Sequence, residues 1–213
     1  EQTQKFPTEI VELPSKGKLY PTESKLASGK VEMKYMTAKE EDILTNQSYI
    51  EKGVVIDKLI QSLIVDKDID YKELLVGDKN ALLVASRILG YGKDYEFEYN
   101  GETQHIDLTQ LKESELHPEV EKAEKNEFTY TLPTTGNVIT FKLLSHGDEL
   151  KVDQEVKGLK KINKDSSAEL STRLKHMILS VNGEAERSKI RSFVDNMFLA
   201  RDSRAFRKHL NEI

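Results

Sequence analysis

The chain contains no cysteine. That excludes a disulfide framework, a thiolate nucleophile and any Cys-ligated zinc or iron–sulfur centre. Tryptophan is also absent and aromatics make up only 7% of residues, which argues against a stacking platform for bases or sugars. No apolar run approaches the roughly 20 residues of a membrane-spanning helix. No basic segment followed by an apolar stretch opens the chain, so no signal peptide is expected in it. Proline occurs five times, and four of these prolines lie at Pro7, Pro14, Pro21 and Pro133, outside any helical periodicity.

What is present is 213 residues, 37% hydrophobic and 32% charged, enough to bury a core without covalent staples. Charge is distributed unevenly. Residues 1–156 hold 19 Lys/Arg and 30 Asp/Glu, whereas residues 157–213 hold 13 and 7. An acidic body with a basic C-terminal region suggests a charged partner or head-to-tail self-contact. Two solvated faces that differ by chance would give the same count.

Residues 1–36 read as extended. Val11-Glu12-Leu13 and Val31 to Tyr35 alternate apolar and polar, and Pro14, Gly17, Pro21 and Gly29 break any helix between them. This is an arm or a long strand–loop–strand. Thr37-Ala38-Lys39-Glu40 is a capping box for a helix expected to reach Lys52 and stop at Gly53. The next helix carries Ile56, Leu59, Ile60, Leu63 and Ile64 at core-facing spacing. Asp70 and Glu73 pair as caps of a short helix. Asp78 opens a longer one, with Leu82, Leu83, Ser86 and Leu89 inward and Gly90 and Gly92 as its stop.

Asn100-Gly101 between Tyr95–Tyr99 and Gln104–Leu108 is a strong hairpin signal. Residues 109–126 read as a charged linker. A second hairpin runs through 128–144. Helices then follow: from Asp148 to about Lys161, from the Ser166-Ser167-Ala168-Glu169 capping box through Leu170, Leu174, Met177, Ile178 and Val181, then one with Ile190, Phe193, Val194, Met197 and Phe198, and a last one opened by Asp202 and carrying Phe206 and Leu210. The expected fold is α+β, mainly α-helical, with two short antiparallel β-hairpins and an extended N-terminal arm. Its parts are 1–36 (arm and strands), 37–110 (helical subdomain with hairpin), 111–126 (linker) and 127–213 (second hairpin and helices).

The sequence also suggests an internal duplication. Leu13-Pro14-Ser15-Lys16-Gly17 reappears as Leu132-Pro133-Thr134-Thr135-Gly136. Lys34-Tyr35-Met36-Thr37 with Glu40 and Glu41 parallels Lys142-Leu143-Leu144-Ser145 with Asp148 and Glu149. Ile88-Leu89 and Ile178-Leu179 then align ahead of glycine stops, giving halves of about 8–92 and 127–183. Shared caps and turns alone would produce a similar likeness.

Chemistry-bearing patterns are few. The five histidines include no i, i+4 pair and no zincin motif. Ser145-His146 with Asp148 is a run of sequence neighbours, whereas a catalytic triad assembles in space. Asp66, Asp68 and Asp70 begin like a calcium loop, but Tyr71 stands where its glycine belongs and Gly77 where its bidentate Glu belongs. Gly90-Tyr91-Gly92-Lys93 has part of a phosphate-loop spacing, yet it ends a helix instead of opening one. No catalytic pair, cofactor site or metal site is nominated, and no enzyme is expected. The basic stretch Arg201, Arg204, Arg207 and Lys208 forms one broad helix side by spacings of three and four. In an acidic chain of pI 5.7 it fits acidic protein better than nucleic acid.

Leu13 to Gly17 with Tyr20-Pro21, Tyr35 to Leu44, Gly77 to Ala81 and Arg87 to Gly92 form an ordered set with Leu132 to Gly136, Ser180 to Gly183 and Arg201 to Arg204. This set resembles the T4-like (T-even-type) phage baseplate hub subunit family across nearly the whole chain. The resemblance implies a virus-encoded, non-enzymatic structural or assembly protein of a contractile tail. It would act in the host cytoplasm, as the hub forms around the central spike and tape measure, and would itself enter the virion or serve assembly alone. Two departures stand out. Relatives carry a Cys-x-x-Cys knuckle where this chain has Asn100-Gly101, so zinc is excluded there. They also continue past the position of Ile213. On this reading Leu13, Leu19 and Tyr20, on an arm of residues 5–21 able to add a strand to a partner, and Arg201, Arg204, Arg207 and Lys208 bind other hub, spike or tape-measure proteins or a second copy. The alternative is a nucleic-acid or small-molecule module using residues 173–210.

Overall fold

The computed structural model describes residues 7–111, 115–162, 164 and 168–213. Helix outweighs strand, 51% against 19%, with every sheet antiparallel, so the fold is α+β and mainly helical. The chain divides into two compact units, residues 1–71 with 77–115, and residues 72–76 with 116–213. The N-terminal strands thus belong to the first unit and do not form a part of their own. Of the expected arm, residues 1–6 lie outside the described residues.

In the first unit, β1 (Thr8–Glu12) pairs with β2 (Lys30–Lys34), Thr8 opposite Lys34 and Glu12 opposite Lys30. This is the strand–loop–strand alternative. The loop between them is fastened where Leu13 N–H donates to Gly29 O at 2.8 Å. Gly17 sits at φ +77°, where an added Cβ would lie 2.3 Å from the Ala27 carbonyl oxygen, so two backbone segments meet there with room for hydrogen alone. Thr37 opens α1 (Ala38–Leu44) as its capping box foretells. The helix does not continue to Lys52. Asn46 breaks it, accepting from Tyr49 N–H at 3.1 Å and starting α2 (Gln47–Lys52). Asn competes for backbone donors and so favours such caps over helix interiors.

α3 (Val55–Leu63) buries Leu59, Ile60 and Leu63. Ile64 leaves the helix and bridges Met33 of β2 as an extended residue. The expected helix around Asp70 and Glu73 is a single 3-10 turn, Tyr71–Glu73. α4 (Val76–Tyr91) starts two residues before Asp78. It carries the unit into the hairpin β3 (Asp94–Tyr99) and β4 (Glu102–Asp107), whose turn has Asn100 and Gly101 at φ +52° and +79°.

In the second unit, α5 (Pro118–Lys122) lies inside the segment expected to be linker, and Asn126 exchanges two hydrogen bonds of 2.8 Å with the Leu143 backbone. β5 (Phe128–Thr131) and β6 (Val138–Phe141) form the expected hairpin. A third strand, β7 (Ile178–Val181), adds to β6, where the helical stripe in the sequence predicts a continuing helix. α7 (Glu169–Met177) ends at Met177. Ile178-Leu179-Ser180-Val181 buries alternate residues, the period of two that marks a strand. α6 (His146–Ile162), α8 (Arg187–Asn196) and α9 (Ala200–Glu212) complete the unit. Ser166 and Ser167 of the third capping box lie outside the described residues. Ile190, Phe193, Val194 and Phe206 are buried, whereas Met197 is 60% exposed and not a core residue. Leu89, expected inside, is only half-buried.

Candidate functional site

The two units repeat one plan, and the repeat is written in buried carboxylates. In the first unit Asp78, the third residue of α4, is buried and faces the Leu-Pro-x-x-Gly turn. Its Oδ1 accepts from Ser15 N–H at 2.9 Å, and its Oδ2 accepts from Ser15 Oγ and Tyr20 Oη, both at 2.6 Å. In the second unit Asp202, the third residue of α9, does the same. Its Oδ1 accepts from Thr134 N–H at 2.7 Å, and its Oδ2 accepts from Thr135 Oγ1 at 2.8 Å and Thr135 N–H at 3.2 Å. Burial works to raise the Asp202 pKa, but the Thr134 and Thr135 donors outweigh it and hold the carboxyl below its ordinary value.

A second latch repeats as well. Glu40, the third residue of α1, accepts from Lys34 Nζ at 2.8 Å, Ser62 Oγ at 2.6 Å, and Thr37 N–H and Oγ1 at 2.9 and 2.6 Å. Burial raises its pKa, and these donors together bring it down to about 2. Asp148, the third residue of α6, accepts from Lys142 Nζ at 2.6 Å and from Ser145 N–H and Oγ at 3.2 Å. Its pKa is lowered against the same burial penalty. In both units a Lys-x-x-Ser/Thr-x-x-acid run joins the second strand to the helix that follows it. The extended residue after a later helix, α3 in the first unit and α7 in the second, then pairs with that strand: Ile64 with Met33, Ile178 with Phe141. The equivalent of Ile178 is therefore Ile64 and not Ile88, and the second copy reaches beyond residue 183 to include Asp202.

These carboxylates are structural. Asp78 is committed to three donors and shielded from solvent, so it orders the Ser15 turn and offers no free base. Ser145 and Asp148 exchange capping bonds, Asp148 N–H donating to Ser145 Oγ at 3.2 Å, so the Ser145-His146-Asp148 neighbours form a helix entry. Asp66 takes the Asp68 N–H at 3.0 Å and pairs with Lys25 at 3.6 Å. Among the described residues no group of three or more His, Asp or Glu side chains is arranged to hold a metal ion.

The expected binding residues separate into two sets. Leu13, Leu19 and Tyr20 are buried, at 0%, 7% and 8% exposure. Leu13 leads into the anchored turn and Tyr20 donates to Asp78, so they are core and anchor residues and do not form a docking arm. Their alternation with Pro and Gly has the look of an arm because Asp78, which holds Ser15 and Tyr20 in this segment, lies more than fifty residues away. Arg201, Arg204, Arg207 and Lys208 are exposed on α9, while Asp202, Ser203 and Phe206 on its other side are buried. Arg207 Nε reaches Ser203 O at 3.4 Å and Lys208 lies 3.8 Å from Glu212. Behind the helix Phe206 meets Phe141 edge-on at 4.9 Å and Tyr130 at 5.7 Å. The basic face is thus presented by a helix fixed through Asp202 and an aromatic core.

Sequence reasoning misses the outer surface of the β3–β4 hairpin. Tyr95 and Tyr99 are 42% and 64% exposed there. The alternation of aromatic and acidic residues is the signal that points to it. No helix among the described residues is long and apolar enough to cross a membrane. No family model, curated protein sequence or solved structure matches this chain.

Proposed function

We propose that this chain is a structural or assembly component of a contractile-tail phage baseplate hub, acting through protein–protein binding. The observation that carries the reading is where the ordered family-like motifs fall. Leu13 to Gly17, Gly77 to Ala81, Leu132 to Gly136 and Arg201 to Arg204 contain the Asp78 and Asp202 anchors and the turns they hold. A scaffold that binds needs rigid presentation of its surface, and these motifs supply it. Its partners are then other hub, central spike or tape-measure proteins, met in the host cytoplasm during assembly.

On this reading the basic side of α9 is a contact surface. Exposed ion pairs contribute about 0–1 kcal/mol each. An arginine desolvated against an acidic partner matters more, and its truncation costs roughly 2–5 kcal/mol. The test is co-expression with the other hub proteins of the same phage, followed by pull-down. Capture of a hub protein by the wild type and its loss with Arg204→Glu plus Arg207→Glu, at unchanged circular dichroism, is the expected result. Capture of none, together with tight heparin binding that falls steeply with salt, would replace this reading with a nucleic-acid module.

A further inference from the structure

The β3–β4 hairpin presents an unpartnered two-sided surface. Its strands form a separate two-stranded sheet, so both outer edges are open, and a lone ribbon of this kind is marginal in water. The register sets Tyr95 opposite Ile106, Phe97 opposite Gln104 and Tyr99 opposite Glu102. Directly opposed residues share a face. One face is therefore aromatic, with Tyr95 and Phe97 rings 5.9 Å apart. The other carries Asp94 opposite Asp107 and Glu96 opposite His105, with Glu98 opposite Thr103. Tyr95, Tyr99 and Ile106 are 42%, 64% and 39% exposed, and Tyr91 at the end of α4 is 49% exposed.

The hairpin does not swing freely from α4. Arg87 donates to Gly92 O at 3.0 Å and to Asp94 O at 3.3 Å, and its guanidinium lies 5.2 Å from the Tyr91 ring centre and 5.6 Å from that of Tyr95. Lys93 Nζ closes the base on Asp107 at 2.5 Å. A ribbon with one aromatic face and one acidic face is thus held in a fixed pose, an arrangement suited to recognition because rigid tyrosines lose little freedom on binding.

The complementary surface is on α9 and the turn before it. Arg201, Arg204, Arg207 and Lys208 point outward, and Arg201 and Arg204 form no ion pair within the described residues. Met197 and Leu199 are bare beside them, at 60% and 47% exposure. Arginine pairs with carboxylates and stacks on tyrosine faces, and Met and Leu supply the apolar patch that the tyrosines need. We propose that a second copy of this chain occupies the hairpin, seating its Met197–Lys208 surface over the open β3 edge, where Tyr95 and Tyr99 line one face and the longer arginines reach Glu96 and Glu98 on the other. The two surfaces differ, so the contact is heterologous and generates an open chain or a closed ring of copies.

This inference concerns the purified chain alone and does not depend on the hub assignment. Sedimentation velocity over a concentration series, at low and high salt, tests it. The wild type should form species larger than monomer, with affinity at least about tenfold weaker at high salt, because the rim charges are screened. Glu96→Lys plus Glu98→Lys should be monomeric, and so should Arg204→Glu plus Arg207→Glu. An equimolar mixture of these two variants should associate again, since each then offers the surface the other lacks. Circular dichroism checks that each is folded; should one lose helix signal, Tyr99→Ser or Arg201→Glu takes its place. A wild type that stays monomeric at every concentration overturns the proposal. So does association that survives both reversals, or a mixture that stays monomeric. Pull-down of a hub protein by a strictly monomeric wild type would leave the functional reading standing and remove this one.

Discussion

Replacing Asp202 by alanine should unfasten the turn at 132–136 from α9. The carboxylate is buried and takes three hydrogen bonds, two from backbone N–H groups and one from a hydroxyl. A bond to a charged acceptor contributes about 1.5–3 kcal/mol, and a buried donor left without a partner costs about 1–3 kcal/mol. These ranges overlap and do not add, because the freed turn can rearrange toward water. The expected loss is about 2–4 kcal/mol. With a urea slope of roughly 1–3 kcal/mol/M, the unfolding midpoint followed by circular dichroism should fall by about 1–2 M. Asp202→Asn keeps one acceptor oxygen and the shape, so it should lose about half as much. Hydrogen exchange should locate the change at Thr134 and Thr135. The pH dependence has a fixed sign. The folded pKa of Asp202 is lowered, so its contribution is complete above the ordinary carboxylate range and fades as pH falls through the folded value. The acid side of the stability profile should be shallower in the variant. A midpoint within about 0.3 M of wild type would refute the claim that this carboxylate holds the turn.

Other consequences are as direct. Leu63→Ala and Ile178→Ala, both at fully buried positions, should each cost about 2–5 kcal/mol in urea unfolding; unchanged melting would mean these side chains do not serve the core. Glu40→Gln should flatten the loss of stability between about pH 5 and pH 2, since Glu40 titrates at about 2 when folded and near 4.3 when unfolded; an unaltered acid limb would contradict the Lys34–Thr37–Ser62 latch. Gly17→Ala should be far more damaging than Gly136→Ala. Both have positive φ, +77° and +72°, but the added Cβ at Gly17 lies 2.3 Å from a backbone oxygen and at Gly136 meets nothing within 4 Å. The second change should cost about 1 kcal/mol, and equal melting points would refute the difference.

Local signals are legible in the sequence and long-range ones are not. The Thr37 box, the Asn100-Gly101 turn and the α3 and α8 stripes depend on residues close in sequence; the box and turn form, and the stripes form except at Ile56 and Met197, which are exposed. The strand at Ile178 reads as helix because Leu174, Met177, Ile178 and Val181 fit a helical stripe. What decides it is the vacant edge of β6, which sequence periodicity does not show. Leu13, Leu19 and Tyr20 read as a docking arm for the same reason. Nothing within a few positions of them signals their burial: Leu13 is fastened to Gly29, and Asp78 holds Ser15 and Tyr20 from 58 residues beyond Tyr20. The basic side of α9 is legible because helical spacing alone sets it. Its rigidity is not, since that comes from the Thr134–Thr135 turn 67 and 68 residues earlier.

The duplication links these cases. Two turns with the same Leu-Pro-x-x-Gly frame are each held by an aspartate at the third position of a later helix. At the end of β2 and just past the end of β6 a lysine meets an acid at the third position of the following helix. A third helical position is where a carboxylate gains most from free N–H groups and the helix dipole. Here Asp78 and Asp202 turn away from their own caps to secure a distant turn, whereas Glu40 and Asp148 bond their own caps and a strand-end lysine together, so one residue type both starts a helix and fixes its place. The copies diverge on the exposed side of that anchored helix frame. After α4 the first unit extends an acidic, aromatic hairpin, and on α9 the second unit presents arginines. Keeping the anchors while varying the exposed surface is how one module can supply two unlike contact faces in a single chain. The opposite charge of those faces is what makes a second copy their natural partner.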